Sequence, residues 1–339
     1  MARRLRMELI PNELATAMIF MQAADNGRKE VLFGDSFDRA YEAAIPLVKD
    51  MLAPSIYLEF PLKGDPFLDL TVLYGDIPEG AVIDSPYIPD TEGMLEWYRK
   101  TREHQTQFNI GFEIDTKIPD RALSSIHLQF HTHDDLVMPF CEAIGEEQYG
   151  KLCMDVQKRM PEGWHLAAFG LFRGRPGTPF RVAGYVSQSE KKKCIESAEH
   201  LAGVLDSVGF TAYDDRMLSE VRELFKIAPL TVDYQFDVYP DGSIGNSLMI
   251  DISIGKDNGS QARESFENGR NAGIMKFLEG WNIVDDRWKT CGDMAFAKLL
   301  PTGQAVILLP QWVKVRWKDK TLQPAKMYCQ GCTKLISGI

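Results

Sequence analysis

The sequence predicts an α+β chain: a closed ten-stranded antiparallel β-barrel with a polar lumen, surrounded by an outer ring of helices. Three observations carry this expectation. Five segments alternate apolar and polar residues with a period of two and turn sharply at their middles. Between these hairpins the period changes to about 3.6 residues, as in amphipathic helices. Ten antiparallel strands left open would expose two sheet edges, and closure removes them. Helices outside then cover the apolar strand faces, so the polar faces turn inward. A ten-stranded ring is wide enough that side chains need not fill it.

The elements follow in order. A helical segment "DSFDRAYEAAIPLVKDML" leads into the first hairpin, "SIYLEFPLKGDPFLDLTVLYG" (55–75), which turns at Lys63-Gly64-Asp65. The helical "TEGMLEWYRKTREHQ" precedes the second hairpin, "FNIGFEIDTKIPDRALSSIHLQFHT" (108–132). The segment "LVMPFCEAIGEEQYGKLCMDVQKRM" precedes the third, "WHLAAFGLFRGRPGTPFRVAGYVS" (164–187). Two helical segments, "KKKCIESAEHLAGVLDSVG" and "DDRMLSEVRELFKI", precede the fourth, "TVDYQFDVYPDGSIGNSLMIDISI" (231–254). Its "PDGS" is a strong turn signal, and Cys194, Ala198, Leu201, Leu205 and Val208 make one apolar stripe in the first of its helices. "QARESFENGRNAGIMKFLEGW" and "DRWKTCGDMAFAKLL" read as helices before the last hairpin, which runs from "AVILLP" through "WVKVRWKDKTLQPAKMYCQ" (312–330).

Composition bounds the function. The chain has 339 residues, 45% hydrophobic and 25% charged, which suits a globular protein and one barrel domain over 1–339. A net charge of −10 argues against a nucleic-acid binder. The "KKK" at 191–193 reads as a solvated helix start. No stretch approaches the ~18 apolar residues of a membrane span. The start, "MARRLRMELIPNELATAMIFM", has no clean apolar core and no small-residue cleavage site, so a helix in a cytoplasmic protein is expected. Of six cysteines, Cys141, Cys153 and Cys194 fall in apolar contexts and are expected to be reduced and buried. Cys329 and Cys332 form a single C-x-x-C without the second pair a structural zinc site needs. "HTHDD" (131–135) resembles a metal cluster, but its His-x-His sits where a strand ends, so lumen polarity or loop capping is the expected role.

Assigning each polar strand face to the lumen gives a list. The first hairpin contributes Tyr57, Glu59, Asp69 and Thr71; the second, Glu113, His127, Gln129 and His131. The third contributes Phe169, Arg173, Arg181 and Tyr185; the fourth, Asp233, Gln235, Asp251 and Ser253; the fifth, Lys314, Arg316, Lys326 and Tyr328. A single bulge would invert half a strand. Arg173, Arg181, Lys314, Arg316 and Lys326 can converge on a polyanion such as a diphosphate. Tyr185 and Tyr328 lie beside them, and ring faces stabilise a nearby cation. Ionisation of an allylic diphosphate needs both, because the leaving group gains charge while the carbon fragment becomes a cation kept from water. The alternative reading places these residues outward, facing solvent.

Five units of helices and a two-stranded hairpin around a polar lumen resemble the αββα prenyltransferase barrel. The last hairpin, with Lys314, Arg316 and "AKMY" (325–328), is similar to the closing strands of cyanobactin peptide prenyltransferases, as is "GLFRGRPGTPFRVAGY". Glu59 in "IYLEF" matches the first-strand glutamate that acts as base in that group. The resemblance implies transfer of a dimethylallyl or geranyl group from its diphosphate to a side chain of a cyclic peptide or to a small-molecule acceptor. It also implies a basic residue in the second strand and a lysine in the fourth, where this chain has Asp69 and Thr71, then His127 and His131. No DDxxD motif is present, so Mg2+ stays open as a cofactor that no motif indicates. Glu113, Asp233 and Asp251 form an acidic acceptor end that suits an arginine guanidinium. The alternatives are an aromatic acceptor on the same barrel, or a binding barrel without chemistry; a neutral-lipid carrier would have no use for five converging cations. The expected form is a monomer or weak dimer.

Overall fold

The computed structural model describes residues 10–49, 55–74, 87–116, 122–255 and 259–335, with 77, 80, 83 and 85 between them. The basic start of the chain, 1–9, lies outside the described residues. Helices α1 (Asn12–Ala24) and α2 (Ser36–Val48) precede strands β1 (Ser55–Pro61) and β2 (Asp69–Tyr74). Helix α3 (Thr91–Arg102) leads to β3 (Asn109–Ile114) and β4 (Ala122–Gln129). Helices α4 (Val137–Ala143) and α5 (Glu147–Arg159) lead to β5 (Trp164–Phe172) and β6 (Phe180–Val186). Helices α6 (Gln188–Glu196), α7 (Ala198–Val208) and α8 (Asp215–Ile227) lead to β7 (Val232–Val238) and β8 (Ile244–Ser253). Helices α9 (Gly259–Glu267) and α10 (Arg270–Gly280) and a 3-10 segment (Asp286–Met294) precede β9 (Phe296–Leu299), β10 (Gln304–Lys318), β11 (Thr321–Leu322) and β12 (Lys326–Leu335).

All pairings are antiparallel, and the sheet closes on itself. Strands β1 to β8 pair in chain order, β8 pairs with β10, β10 with β12, and β12 with β1. Of the twelve strands, β9 and β11 attach only to β10, which leaves the ten-stranded ring expected from the sequence. The α+β barrel with outer helices is therefore present.

The core lies between the outer strand faces and the helices. Leu58 and Phe60 on β1, Val313, Val315 and Trp317 on β10, and Met327 and Cys329 on β12 are fully buried there. Helix α8 brings Met217, Leu218, Val221, Leu224 and Phe225 to the same layer. Glu220 of that helix accepts a hydrogen bond from Trp317 Nε1 at 2.7 Å, which satisfies the indole donor inside the apolar layer.

Four local expectations are corrected. The segment read as one helix over 191–209 breaks at Ser197, which adopts an extended backbone and caps α7 by accepting from His200 N. A hydroxyl that competes for backbone donors explains the break. "DRWKTCGDMAFAKLL" is a 3-10 segment followed by β9, because Phe296–Leu299 finds a sheet partner in Ala305–Leu308. Lys191 is not solvated: it is only 6% exposed and donates to the carbonyls of Ala228 and Leu230 at 2.6 and 2.8 Å. Lastly, β5 carries a bulge between Leu166 and Ala168.

Beside that bulge, Leu166 pairs with Gly184 of β6. A Cβ at Gly184 would fall far inside van der Waals contact with the His165 carbonyl oxygen and 2.7 Å from the Tyr234 hydroxyl. Gly184→Ala should therefore destabilise the barrel by about 3 kcal/mol. In contrast, Gly203→Ala, in exposed helix with open space around it, should stabilise by up to about 1 kcal/mol. Urea midpoints of the two variants against the parent check both signs.

Candidate active site

Because each hairpin joins neighbouring strands of an antiparallel ring, the hairpin turns gather at one end of the barrel and the helix connections at the other. Inside is a cavity of about 860 Å³. Its mouth at the turn end is lined by Lys63, Gly64, Asp65, Phe67, Gln323 and Pro324, and its far end by Tyr57, Gln129, His131, Tyr185, Asp233 and Trp312.

The half nearer the turns is an ion network. Lys326 Nζ lies 2.6 Å from Glu59 Oε1 and 3.5 Å from Asp69 Oδ2. Arg175 binds Glu113 at 2.8 Å, and Arg181 binds Asp237 at 2.8 Å. Both guanidiniums lie over the Phe172 ring, at 4.0 and 4.6 Å. Lys314 donates to the Tyr328 hydroxyl and stands 4.5 Å from that ring's centroid. Arg316 differs from these: it donates to Ser247 Oγ at 3.0 Å, has no ion pair, and its buried Nε has no partner among the described residues.

These contacts set the proton affinities. Burial alone would push the Glu59 carboxyl up, but Lys326 and Lys314 overcome it and hold it at about 2. Asp69 goes the other way: burial raises it to about 7, beyond what Lys326 can offset, and Glu59 and Glu113 add to the rise. Glu113 is held low, since Arg175 and His127 outweigh its burial. Burial also works against the charges of Lys314 and Arg316, so each would gain from an anion placed beside it.

The inner half is different. Asp233 and Asp251 are direct partners across β7 and β8. Burial raises both carboxyls, Asp233 to about 7; the charge of Asp251 adds to the rise of Asp233, and that of Glu59 to the rise of Asp251. The rings of His165 and Tyr185 stack at 4.8 Å, and Tyr57 and Trp312 approach to 5.7 Å.

Of the residues read as lumen-facing, Tyr57, Glu59, Asp69, Glu113, Arg181, Tyr185, Asp233, Asp251, Lys314, Arg316, Lys326 and Tyr328 all line the cavity. Arg173 does not. The β5 bulge inverts the strand's facing beyond it, so Phe172 turns inward and Arg173 turns out to bind Glu146 at 2.7 Å and lie over Tyr149 of α5. The Phe169 ring likewise packs outward on Phe140 and Phe180. Arg175, two residues on in the "GRPGTP" turn, takes the place intended for Arg173. Trp312 was missed although it shares the parity of Lys314 and Arg316.

The motifs set aside in the sequence find ordinary places. His131 borders the cavity with a left-handed backbone (φ 53°), and Asp134 accepts from Gln157. Among the described residues, the one tight cluster of metal-ligating types is Glu190, Cys194 and His200, outside the barrel. Lys193 neutralises Glu190 there at 3.0 Å. Cys329 and Cys332, three apart on β12, face opposite sides of the strand. No described helix is long and apolar enough to cross a membrane.

No protein-family model matches the sequence, and no curated protein matches it. Solved structures do match in shape. AnaPT from Neosartorya fischeri superposes with a TM-score of 0.52 at 10% identity, over 98% of this chain and 96% of that one. The chain shares the αββα prenyltransferase-barrel fold. The 5-dimethylallyl tryptophan synthase from Streptomyces coelicolor, solved in complex with DMASPP and Trp, gives a TM-score of 0.52 at 8% identity, over 96% and 95% of the two chains. At such identities the likeness is one of fold.

Proposed function

We propose that the protein is a prenyltransferase, with residues 1–339 acting as one catalytic barrel. It moves a dimethylallyl or geranyl group from its diphosphate onto a side chain of a peptide, cyclic or linear, or onto a small acceptor. The observation that carries this reading is the convergence of Arg175, Arg181, Lys314, Arg316 and Lys326 on one open cavity, with Arg316 in no ion pair among the described residues. A diphosphate placed there gains charge-assisted hydrogen bonds, which strengthen as its C–O bond breaks and its charge rises. The allylic cation is shielded by Tyr328 and Tyr185, whose rings line the same space. An electron pair of the acceptor closes the new bond to carbon, and the proton released passes to Glu59. The barrel wall shields the sides of the cation, and a bound acceptor fills the space beside it, as transfer rather than hydrolysis requires.

Two acceptor classes fit. The ring-lined inner half suits an aromatic side chain, in keeping with the dimethylallyl tryptophan synthase that shares the fold and was solved with Trp. The paired carboxylates suit a guanidinium, which planar carboxylate forks bind well. The peptide part of the reading rests on the likeness of the last hairpin to cyanobactin peptide prenyltransferases. The test is incubation with dimethylallyl and geranyl diphosphate and matched peptides differing only in Arg, Trp, Tyr or His, read by mass. A donor-dependent mass gain equal to the prenyl group identifies transfer, and its absence from every peptide and from small indoles and phenols overturns the proposal. Repeating the assay with EDTA in place of Mg2+ reads the metal dependence.

A further inference from the structure

We infer that the inner half of the barrel binds a cationic group of the acceptor, a guanidinium or a protonated amine, between Asp233 and Asp251. The inference rests on the prenyl-transfer reading for its claim that the acceptor occupies this half, and it names the chemistry that holds it there.

The two carboxylates face each other as direct cross-strand partners on β7 and β8. Such neighbours have Cβ atoms about 5 Å apart, and like charges in that position are destabilising. The apolar packing of both strands lies on their outer faces, so the pair makes no core contact. Asp251 is only 7% exposed; one oxygen accepts from Gln235, and the other, Oδ1, has no partner among the described residues. A buried acceptor left unpaired costs free energy that a bound donor recovers.

The charges around the pair leave room for a cation. Lys314 from β10 and Arg181 from β6 attract Asp251, while Glu59 from β1 repels it. Asp233 feels burial and the charge of Asp251, with no cation opposing them. Lys314 is the direct partner of Asp251 on β10 but donates to the Tyr328 hydroxyl, and among the described residues no cation forms an ion pair with either aspartate. Rings complete the site: Tyr185, stacked on His165, lines the cavity next to Asp233, and Trp312 lines it from β10. Ring faces and carboxylates together favour a cation over a neutral side chain. A neutral aromatic acceptor would fill the volume and leave Asp251 Oδ1 without a donor.

The test uses Nα-acetyl-arginine methylamide and its neutral isostere, Nα-acetyl-citrulline methylamide, titrated into the full chain by calorimetry without donor. The arginine probe should bind at least tenfold tighter at pH 8. Its affinity should fall as pH drops through about 7, where Asp233 takes up its proton. Asp233→Asn and Asp251→Asn should each remove most of the preference. Equal affinity for the two probes in the parent protein overturns the inference, whether or not the variants fold. Dimethylallyl diphosphate is titrated into the same samples: donor binding without an arginine preference sinks the cation site alone, whereas loss of both sinks the transfer reading as well.

Discussion

Glu59→Gln should lower turnover by about 10²–10⁴-fold, the usual contribution of a positioned base, while the barrel stays folded and donor binding is kept. The argument starts from Lys326, which lies 2.6 Å from Glu59. With that partner in place, the Glu59 carboxyl is held at about 2 and is a weak base. A bound diphosphate competes for the same ammonium and for Lys314. As those charges turn towards the donor, Glu59 loses what depressed it, and burial raises its proton affinity. The base is thus strengthened only when the donor is present, which limits futile proton transfer. Removing the carboxylate also removes a competitor for Lys326, so the Gln variant should bind dimethylallyl diphosphate as tightly as the parent or more tightly. Steady-state rates and calorimetric donor titration check the two halves. Normal turnover in Glu59→Gln would move the base elsewhere, with Asp69, at about 7 and 3.5 Å from Lys326, next in line.

The barrel was legible because its signal is global. Ten strands and the helices between them each repeat a period, and the element order survives errors at any one boundary. The site was legible where strands are regular. Glu59, Lys314, Arg316, Lys326 and Tyr328 sit on β1, β10 and β12, and two-residue alternation placed each of them in the lumen. It failed on β5, because one extra residue near Ala167 reverses every side chain after it. Nothing local announces that bulge except Gly184 on the neighbouring strand, which permits the close backbone approach. Arg175 was invisible to alternation for another reason: it lies in a turn, where no period operates. The ion pairs were also beyond reach, since Lys326 and Glu59 are brought together only by closure of β12 on β1.

Arg316→Ala and Lys326→Ala should each raise the dissociation constant for prenyl diphosphate about tenfold or more, and together about a hundredfold. Each loses a charged hydrogen bond worth roughly 1.5–3 kcal/mol, and a tenfold change corresponds to about 1.4 kcal/mol. The two variants should part company in stability. Lys326 compensates both Glu59 and Asp69, so its loss leaves two buried carboxylates facing each other, and removing one partner of a buried pair is strongly destabilising. Among the described residues Arg316 compensates no acid at hydrogen-bond distance, and it lies near Arg181, whose like charge works against it after burial has done so. Arg316→Ala should therefore leave the urea midpoint unchanged or raise it while weakening the donor. That combination, lost affinity without lost stability, marks a group held in an unfavourable state for the sake of its ligand. Unchanged donor affinity in both variants would show that the diphosphate binds away from β10 and β12.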